Sequence, residues 1–351
     1  MSENQEEKTN QLFLGIDFGT SRTAVMSDRG YKSITPSVVG YPKDIIGIKF
    51  LGKAQVFGEE AMKNRAALTI YRPLEDGVIR DASERDYNAA LELLKHVVAE
   101  AKKDCGDNVQ VSSILGVPSK ASLMNKELLL EIAHQVVSTA MIVSEPFMVA
   151  YQLNKLNNSI IVDIGAGTVD ICGVKGSIPG PKDQITTVKG GDYIDERLEA
   201  AIRQKFYDVQ VTRNLIRTIK EQHAFVGAPP TNPLLVTLRS EGKPGTYDIT
   251  AEMRTVCESI VPDIVENIID IMKGYDPEDQ PEVLKNIYLA GGGSQIKGLA
   301  GMLEERLHDY GEIKVRCVED PDFTGCAGAL KLTQDLPSEH WDKVGFARSE
   351  T

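Results

Sequence analysis

Two stretches of this chain repeat one mechanical unit. Leu12-Phe13-Leu14-Gly15-Ile16-Asp17-Phe18 is an apolar strand that runs into Gly19-Thr20-Ser21, and a second apolar stretch, Thr23 to Met26, follows. Ser159 to Ile164 carries Asp163 near its end, runs into Gly165-Ala166-Gly167-Thr168, and is followed by Val169 to Val174. Each reads as a β-hairpin that delivers an Asp to a Gly-rich turn bearing a hydroxyl. The two aspartates stand 146 residues apart, so a duplicated domain is expected. One Asp-Gly turn is ordinary; two in matching hairpins point to a shared task.

The stretches between them alternate. Glu84 to Lys103, Leu123 to Val137, Tyr193 to Phe206, Thr212 to Gln222, Ala251 to Met272 and Gln295 to Leu307 have helical apolar spacing, with Pro262 set to kink or break one of them. Val109 to Val117, Met141 to Val143 and Val283 to Leu289 read as strands. The class is therefore α/β with mixed sheets. Pro36 to Phe57 reads as a small β-rich insert, and Leu234 to Leu238 with Thr246 to Ile249 as a short hairpin in a second one.

The formal net charge is −12 over 351 residues, with 42% hydrophobic and 26% charged residues. That is ordinary for a globular chain long enough for two domains, and it argues against direct nucleic-acid binding, which needs a basic face. Five cysteines without a Cys-x-x-Cys pair fit reduced, mostly buried thiols in a cytoplasmic protein. Met1 to Gln11 is polar and acidic, and no apolar run approaches the ~18–20 residues that span a bilayer, so no direct membrane insertion is expected.

Paired turns of this kind offer backbone N–H groups and hydroxyls to a polyphosphate, and one Asp from each suits a hydrated magnesium ion, which keeps several of its waters. A third element, Ile287-Tyr288-Leu289-Ala290-Gly291-Gly292-Gly293-Ser294, ends a strand in a glycine triplet that lets backbone approach a planar ligand, with Ser294 placed to cap the next helix. It is neither a Gly-x-Gly-x-x-Gly fingerprint nor a Walker A loop. Glu145-Pro146 follows a buried strand and reads equally as a helix-start carboxylate or as a group that orients an attacking water. Trp341 in the polar tail is equally open as a surface anchor or as part of a patch on a neighbouring subunit, His134 reads as a packing residue, and Cys317 and Cys326 as buried thiols.

Leu14-Gly-Ile-Asp-Phe-Gly-Thr20, Ile161-Val-Asp-Ile-Gly-Ala-Gly-Thr168 and Leu289-Ala-Gly-Gly-Gly-Ser294 resemble the two phosphate motifs and the adenosine motif of the actin, sugar kinase and chaperone ATPase superfamily. Val56 to Ala61, Arg72 to Ile79 and Ser144-Glu145-Pro146-Phe147 narrow the resemblance to bacterial actins of the rod-shape type, and within them to the magnetosome branch. It covers roughly residues 11 to 335.

The resemblance implies an actin-like fold: two related domains with mixed sheets around a nucleotide cleft. Domain I would span 11–156, with 325–337 returning and an insert near 34–69; domain II would span 157–324, with an insert near 191–249. Residues 1–10 and 338–351 would be tails. Asp17 and Asp163 would hold Mg²⁺, mostly through water. ATP or ADP would meet Gly19, Thr20 and Ser21, then Gly165, Ala166, Gly167 and Thr168, with Gly190, Gly191, Asp192 and Lys220 close by and Gly291, Gly292, Gly293 and Ser294 at the adenosine. Glu145, with Asp163 and Thr168, would form the catalytic group. The chain departs from the family's Thr-Ala-Glu triplet: Leu215-Ile216-Arg217 stands there, so the Glu contact to the sugar does not carry over.

The implied function is a cytoskeletal ATPase that polymerises with ATP, as paired protofilaments, and reaches magnetosomes through adaptor proteins. A rod-shape actin guiding cell-wall synthesis is the alternative. A small-molecule kinase would need substrate-binding inserts, and a chaperone a peptide-binding domain.

Overall fold

The computed structural model describes residues 10–80, 83–106, 108–336 and 341. The expected tails at 1–10 and 338–351 fall almost wholly outside them. The chain divides into two compact units, Met1–Leu156 with Asp322–Thr351, and Asn157–Pro321.

The first unit opens with β1 (Gln11–Phe18), β2 (Arg22–Ser27) and β3 (Lys32–Pro36), an antiparallel meander. A three-stranded sheet follows, built from β4 (Val39–Pro42), β5 (Val56–Phe57) and β6 (Leu68–Tyr71), with helices α1 (Ile45–Leu51) and α2 (Gly58–Lys63) between its strands. The short ribbon of β7 (Leu74–Glu75) and β8 (Val78–Ile79) leads to α3 (Glu84–Lys102), β9 (Gln110–Val117), α4 (Leu123–His134), β10 (Thr139–Ser144) and α5 (Glu145–Gln152). The main sheet runs β10-β9-β1-β2-β3, with β1, β9 and β10 parallel.

The second unit repeats this plan. β11 (Ser159–Ile164), β12 (Val169–Val174) and β13 (Gln184–Thr187) form the meander. The excursion is α6 (Gly191–Lys205), β14 (Val209–Gln210), α7 (Arg213–His223), β15 (Leu235–Ser240) and β16 (Lys243–Asp248). Then come α8 (Thr250–Glu258), α9 (Val261–Met272), α10 (Gln280–Val283), β17 (Ile287–Ala290), α11 (Leu299–Leu307) and β18 (Val315–Cys317). The sheet order is β13-β12-β11-β17-β18, with β17 parallel to β11 and β18 parallel to β17. Both sheets thus set a hairpin beside two parallel strands, as the duplicated hairpin motif predicted. Helix α12 (Thr324–Asp335) returns to the first unit.

Local chemistry explains the boundaries. Ser83, Ser122 and Thr212 cap α3, α4 and α7 through their side-chain oxygens. Pro262 sits in the first turn of α9 and separates it from α8, so the apolar stretch from 251 to 272 is two helices. Alternate side chains of β1 (Leu12, Leu14, Ile16, Phe18) are fully buried against Leu93, Leu94 and Ile132. Helix α12 crosses α5 closely because Gly328 has no side chain; a Cβ there would lie 1.8 Å from the carbonyl oxygen of Met148.

Four expectations change. The insert at Pro36 to Phe57 contains α1, where β-branched residues suggested strands alone: Asp44 caps it by accepting from the Gly47 N–H at 2.9 Å, and Gly52 closes it with φ +65°. Trp341 is buried, packs with Phe147, Met148 and Leu332, and donates from Nε1 to the carbonyl of Leu336 at 3.0 Å. His134 ends α4 and faces solvent, and Cys317 is exposed. Among the described residues, no helix is long and apolar enough to cross a membrane.

Candidate functional site

In the first unit, the parallel strands bring their C-terminal ends to one edge of the sheet, the usual place for ligand chemistry in such sheets. Asp17 stands there in register with Ala24 on β2 and Gly116 on β9, and Gly116 with Val143 on β10. Glu145 begins α5 two residues later along the chain. Gly116 makes the arrangement possible: a Cβ there would meet Glu145 Cγ at 3.1 Å and Met148 Cε at 2.3 Å. Asp17 and Glu145 are therefore near neighbours at the same edge.

Burial pushes the Asp17 carboxyl up to about 6. Asp17 is half-buried, and a carboxylate that has lost part of its water at a strand end gains from a cation that supplies the lost solvation. Gly325, near the start of α12, leaves 3.2 Å between its would-be Cβ and Asp17 Oδ2.

The turn after Asp17 is braced from two sides. The Gly77 N–H, between β7 and β8, donates to Thr20 Oγ1 at 2.7 Å. Ser37 Oγ donates to the Gly19 carbonyl at 2.6 Å, and its backbone N–H donates to the Ser21 carbonyl at 2.9 Å. Thr23 and Ser37 hydroxyls are 3.0 Å apart. Ser37 was missed in the sequence, where nothing but its place after Pro36 sets it apart.

In the second unit, Asp163 pairs with Asp170 across the hairpin, and Ile164 with Val169. The Gly165 N–H donates to the Thr168 carbonyl at 2.9 Å, closing the turn, and Thr168 is buried. The N-terminus of α6 rests directly on this turn: the Gly191 N–H donates to the Gly165 carbonyl at 2.9 Å and the Asp192 N–H to the Ala166 carbonyl at 2.7 Å. A Cβ on Gly190 would lie 2.7 to 2.9 Å from Ala166 O, Gly167 C and Gly165 O, so only glycine fits.

A charged cluster holds that helix start. Lys220 donates from Nζ to the Gly191 carbonyl at 2.6 Å and pairs with Asp195 at 2.8 Å. Arg217 bonds Asp192 at 2.7 Å and reaches Asp195 at 3.5 Å, and Arg213 pairs with Asp192 at 3.0 Å. Burial raises the Asp195 carboxyl above its ordinary value, with Lys220 and Arg217 opposing the rise. Arg217, which stands where the family triplet has its Glu, thus belongs to this cluster. Its signal is legible in hindsight: Arg213, Arg217 and Lys220 recur at helical spacing, as do Asp192 and Asp195.

The glycine triplet packs onto the end of β11. Gly291 has φ +70°, and a Cβ on it would meet Asp163 Oδ1 at 2.3 Å and Ile164 O at 2.6 Å. Ser294 is buried and donates to the Gly291 carbonyl at 2.7 Å. Contrary to the expectation from the sequence, it does not cap the next helix: a 3₁₀ turn spans Gly292–Gln295, and α11 starts at Leu299 after Gly298. Asp163, Gly165–Thr168, Gly190–Asp192, Lys220 and Gly291–Ser294 are therefore one contiguous constellation within the second unit.

Among the described residues, no three His, Cys, Asp or Glu side chains form a ready metal cluster. Taken by itself, the lone carboxylate at each unit's strand end, Asp17 in the first and Asp163 in the second, suits a hard cation that keeps most of its waters, such as Mg²⁺, and not zinc.

Residues 11–340 match the family model described as MreB/Mbl protein. The chain is 50% identical over 345 residues, 98% of its length and 99% of the relative's, to the actin-like protein MamK of Paramagnetospirillum magneticum. It is similar to a structure titled MamK double helical filament, with TM-score 0.91, 51% identity, and coverage of 93% of this chain and 100% of that one. It is also similar to a non-polymerising MamK mutant bound to AMPPNP, with TM-score 0.72, 50% identity, and coverage of 93% and 99%. Near full-length identity at this level, on a duplicated fold that carries the Asp-Gly hairpins and the glycine triplet, makes the chain a member of the MreB/Mbl family of bacterial actins.

Proposed function

We propose that this protein is a filament-forming ATPase that binds Mg·ATP, assembles with copies of itself, and hydrolyses the nucleotide to ADP and phosphate to turn the filament over. The cargo reading is the magnetosome, reached through adaptor proteins along a cytoplasmic filament. The observation that carries the proposal is the pair of Asp-bearing hairpins in duplicated sheets, in a chain whose likeness extends to a relative solved as a double helical filament.

Each residue's work follows from its surroundings. The turns Gly19–Ser21 and Gly165–Thr168 offer backbone N–H groups and hydroxyls to the phosphates. The braces from Gly77, Ser37 and the start of α6 hold those turns in place before ligand arrives, so little order is lost on binding. Gly190, Gly191, Asp192 and Lys220 fix the second turn, and Gly291–Ser294 present bare backbone to the adenosine. Asp17 and Asp163 would hold Mg²⁺, mostly through water, and the ion would neutralise charge on the phosphates. Glu145 orients the water that attacks the γ-phosphorus as the bond to ADP breaks; no covalent nucleophile is needed. Thr168 supports that same phosphate.

Sedimentation and electron microscopy of the purified chain with Mg·ATP test the reading. Filaments are expected, and Glu145→Ala should slow phosphate release without preventing assembly. A chain that stays monomeric under those conditions refutes it.

A further inference from the structure

Asp195 is a charge that the second unit takes out of water. It lies on α6, about one turn past Asp192, and its side chain is 1% exposed against 18% for Asp192. Both of its carboxylate oxygens are shielded, and neither makes an aligned hydrogen bond among the described residues. Such a group costs stability unless a cation stands beside it. Lys220 on α7 does so, with Nζ 2.8 Å from Oδ1, and Arg217 Nε lies 3.5 Å from Oδ2. Stability alone does not ask for a charge pair there, since apolar side chains of like size usually serve as well. The charge is better explained by what it does to Lys220.

The Lys220 side chain is only 13% exposed, so its ammonium is largely desolvated too. Its aligned hydrogen bond runs to the Gly191 carbonyl at 2.6 Å. A Cβ on Gly191 would sit 3.0 Å from Nζ, so the ammonium is pressed against bare backbone. That carbonyl shares one peptide group with the Asp192 N–H, which donates to the Ala166 carbonyl at 2.7 Å. The group is planar, so fixing its oxygen fixes the direction of its N–H. An ammonium on the oxygen also polarises the amide and makes the N–H a stronger donor. Lys220 therefore acts on the Gly165–Thr168 turn through one peptide, without touching the turn itself.

We propose that Asp195 is a positioning residue for the phosphate-binding turn, an inference that rests on the nucleotide reading above and deepens it. Its carboxylate holds the Lys220 ammonium against the Gly191–Asp192 peptide, and that peptide holds the turn in the shape that receives nucleotide. Lysine carries a strongly hydrated charge on a flexible four-carbon stem, so without a counter-charge it swings toward water. Asp192 does not replace Asp195 in this task, because it is engaged by Arg217 at 2.7 Å and Arg213 at 3.0 Å. Simple electrostatics makes the opposite prediction. Deleting a negative charge beside a phosphate site should tighten the binding of a polyphosphate, whereas losing a positioning group should loosen it.

The test uses the full chain, measuring Mg·ADP affinity by titration calorimetry and phosphate release at steady state, with the melting temperature as a control for folding. Asp195→Asn keeps the size of the side chain and should weaken Mg·ADP binding by about tenfold, raising KM for ATP in step while kcat stays within about threefold. Lys220→Met should weaken binding at least as much. The double variant should bind within about threefold of Lys220→Met, because Asp195 acts through Lys220. A folded Asp195→Asn protein that binds Mg·ADP within about twofold of the parent, or more tightly, overturns the proposal. So does a double variant more than about threefold weaker than Lys220→Met, which assigns Asp195 another route of action. That second comparison holds even where Asp195→Asn alone does not fold, since the double variant removes both charges of the buried pair. A parent chain that binds no Mg·ADP refutes the nucleotide reading itself.

Discussion

Gly291 and Gly292 are neighbours in one turn, and the structure assigns them opposite sensitivities. Gly291→Ala forces a side chain into φ +70°, ψ 171°, a region close to glycine-only, at a cost of about 1–3 kcal/mol. Its Cβ would also lie 2.3 Å from Asp163 Oδ1 and 2.6 Å from the Ile164 carbonyl, and the second of these is backbone that moves only with β11. Overpacking of that kind adds about 1–3 kcal/mol. A total near 3 kcal/mol lowers the Tm of a unit this size by roughly 6–12 °C. Gly292→Ala meets nothing within 4 Å and needs no positive φ, so it should leave Tm within about 2 °C or raise it slightly by restricting the unfolded chain. Thermal unfolding by circular dichroism without nucleotide reads the first effect. Titration with Mg·ADP reads the second, because the displaced group is Asp163: Gly291→Ala should weaken binding at least about tenfold, and Gly292→Ala much less. Equal melting temperatures and equal affinities for the two variants would show that the turn is soft, and would refute the claim that Gly291 holds Asp163 in place.

Trp341→Ala should cost about 3–5 kcal/mol, because Trp341 is buried against Phe147, Met148 and Leu332; since it is the chain's single tryptophan, parent emission should be blue-shifted and should shift to the red as the protein unfolds. Cys317 is exposed as a residue but its sulfur is partly shielded, which pushes the thiol up, so its modification should accelerate about tenfold per pH unit from 7 to 8, and its Sγ contact with Ser294 O at 3.4 Å predicts slower modification with nucleotide bound, both read by mass spectrometry. Subunits of net charge −12 repel one another, so the critical concentration should fall as ionic strength rises from about 0.01 to 0.15 M and the Debye length shrinks from about 30 to 8 Å; an unchanged value counts against that electrostatic account.

The sheets were legible because their signals are local. A buried strand, an Asp and a Gly-rich turn occur within ten residues, and the repeat of that pattern foretold two sheets of like order. Helix α1 was not legible, because Ile45, Ile46 and Ile48 are β-branched and their spacing matches no buried face; the face it buries is a glycine. Ser294 was misread for a related reason. Ser before an apolar helical run usually caps it, but here the glycine triplet folds back on β11 and spends the Ser hydroxyl on its own turn. Trp341 looked like a surface residue because its sequence neighbours are polar, whereas its packing partners lie on α5 and α12.

The duplication also shows where the halves have diverged. Both turns follow an Asp at a strand end, yet each is braced differently. In the first unit the brace is neutral: hydroxyls of Thr20 and Ser37 and the Gly77 N–H. In the second it is a helix start, Gly191 and Asp192, held by Arg213, Arg217 and Lys220. A helix N-terminus adds positive potential at the turn it touches, and three cations beside it add more. Asp192 and Asp195 absorb part of that charge, which keeps the cations ordered in the absence of a phosphate. The second turn is thus the electropositive one, whereas the first carries a partly buried carboxyl at Asp17. Equivalent hairpins have thus been given unequal electrostatics: a neutral brace in one half and a charged one in the other.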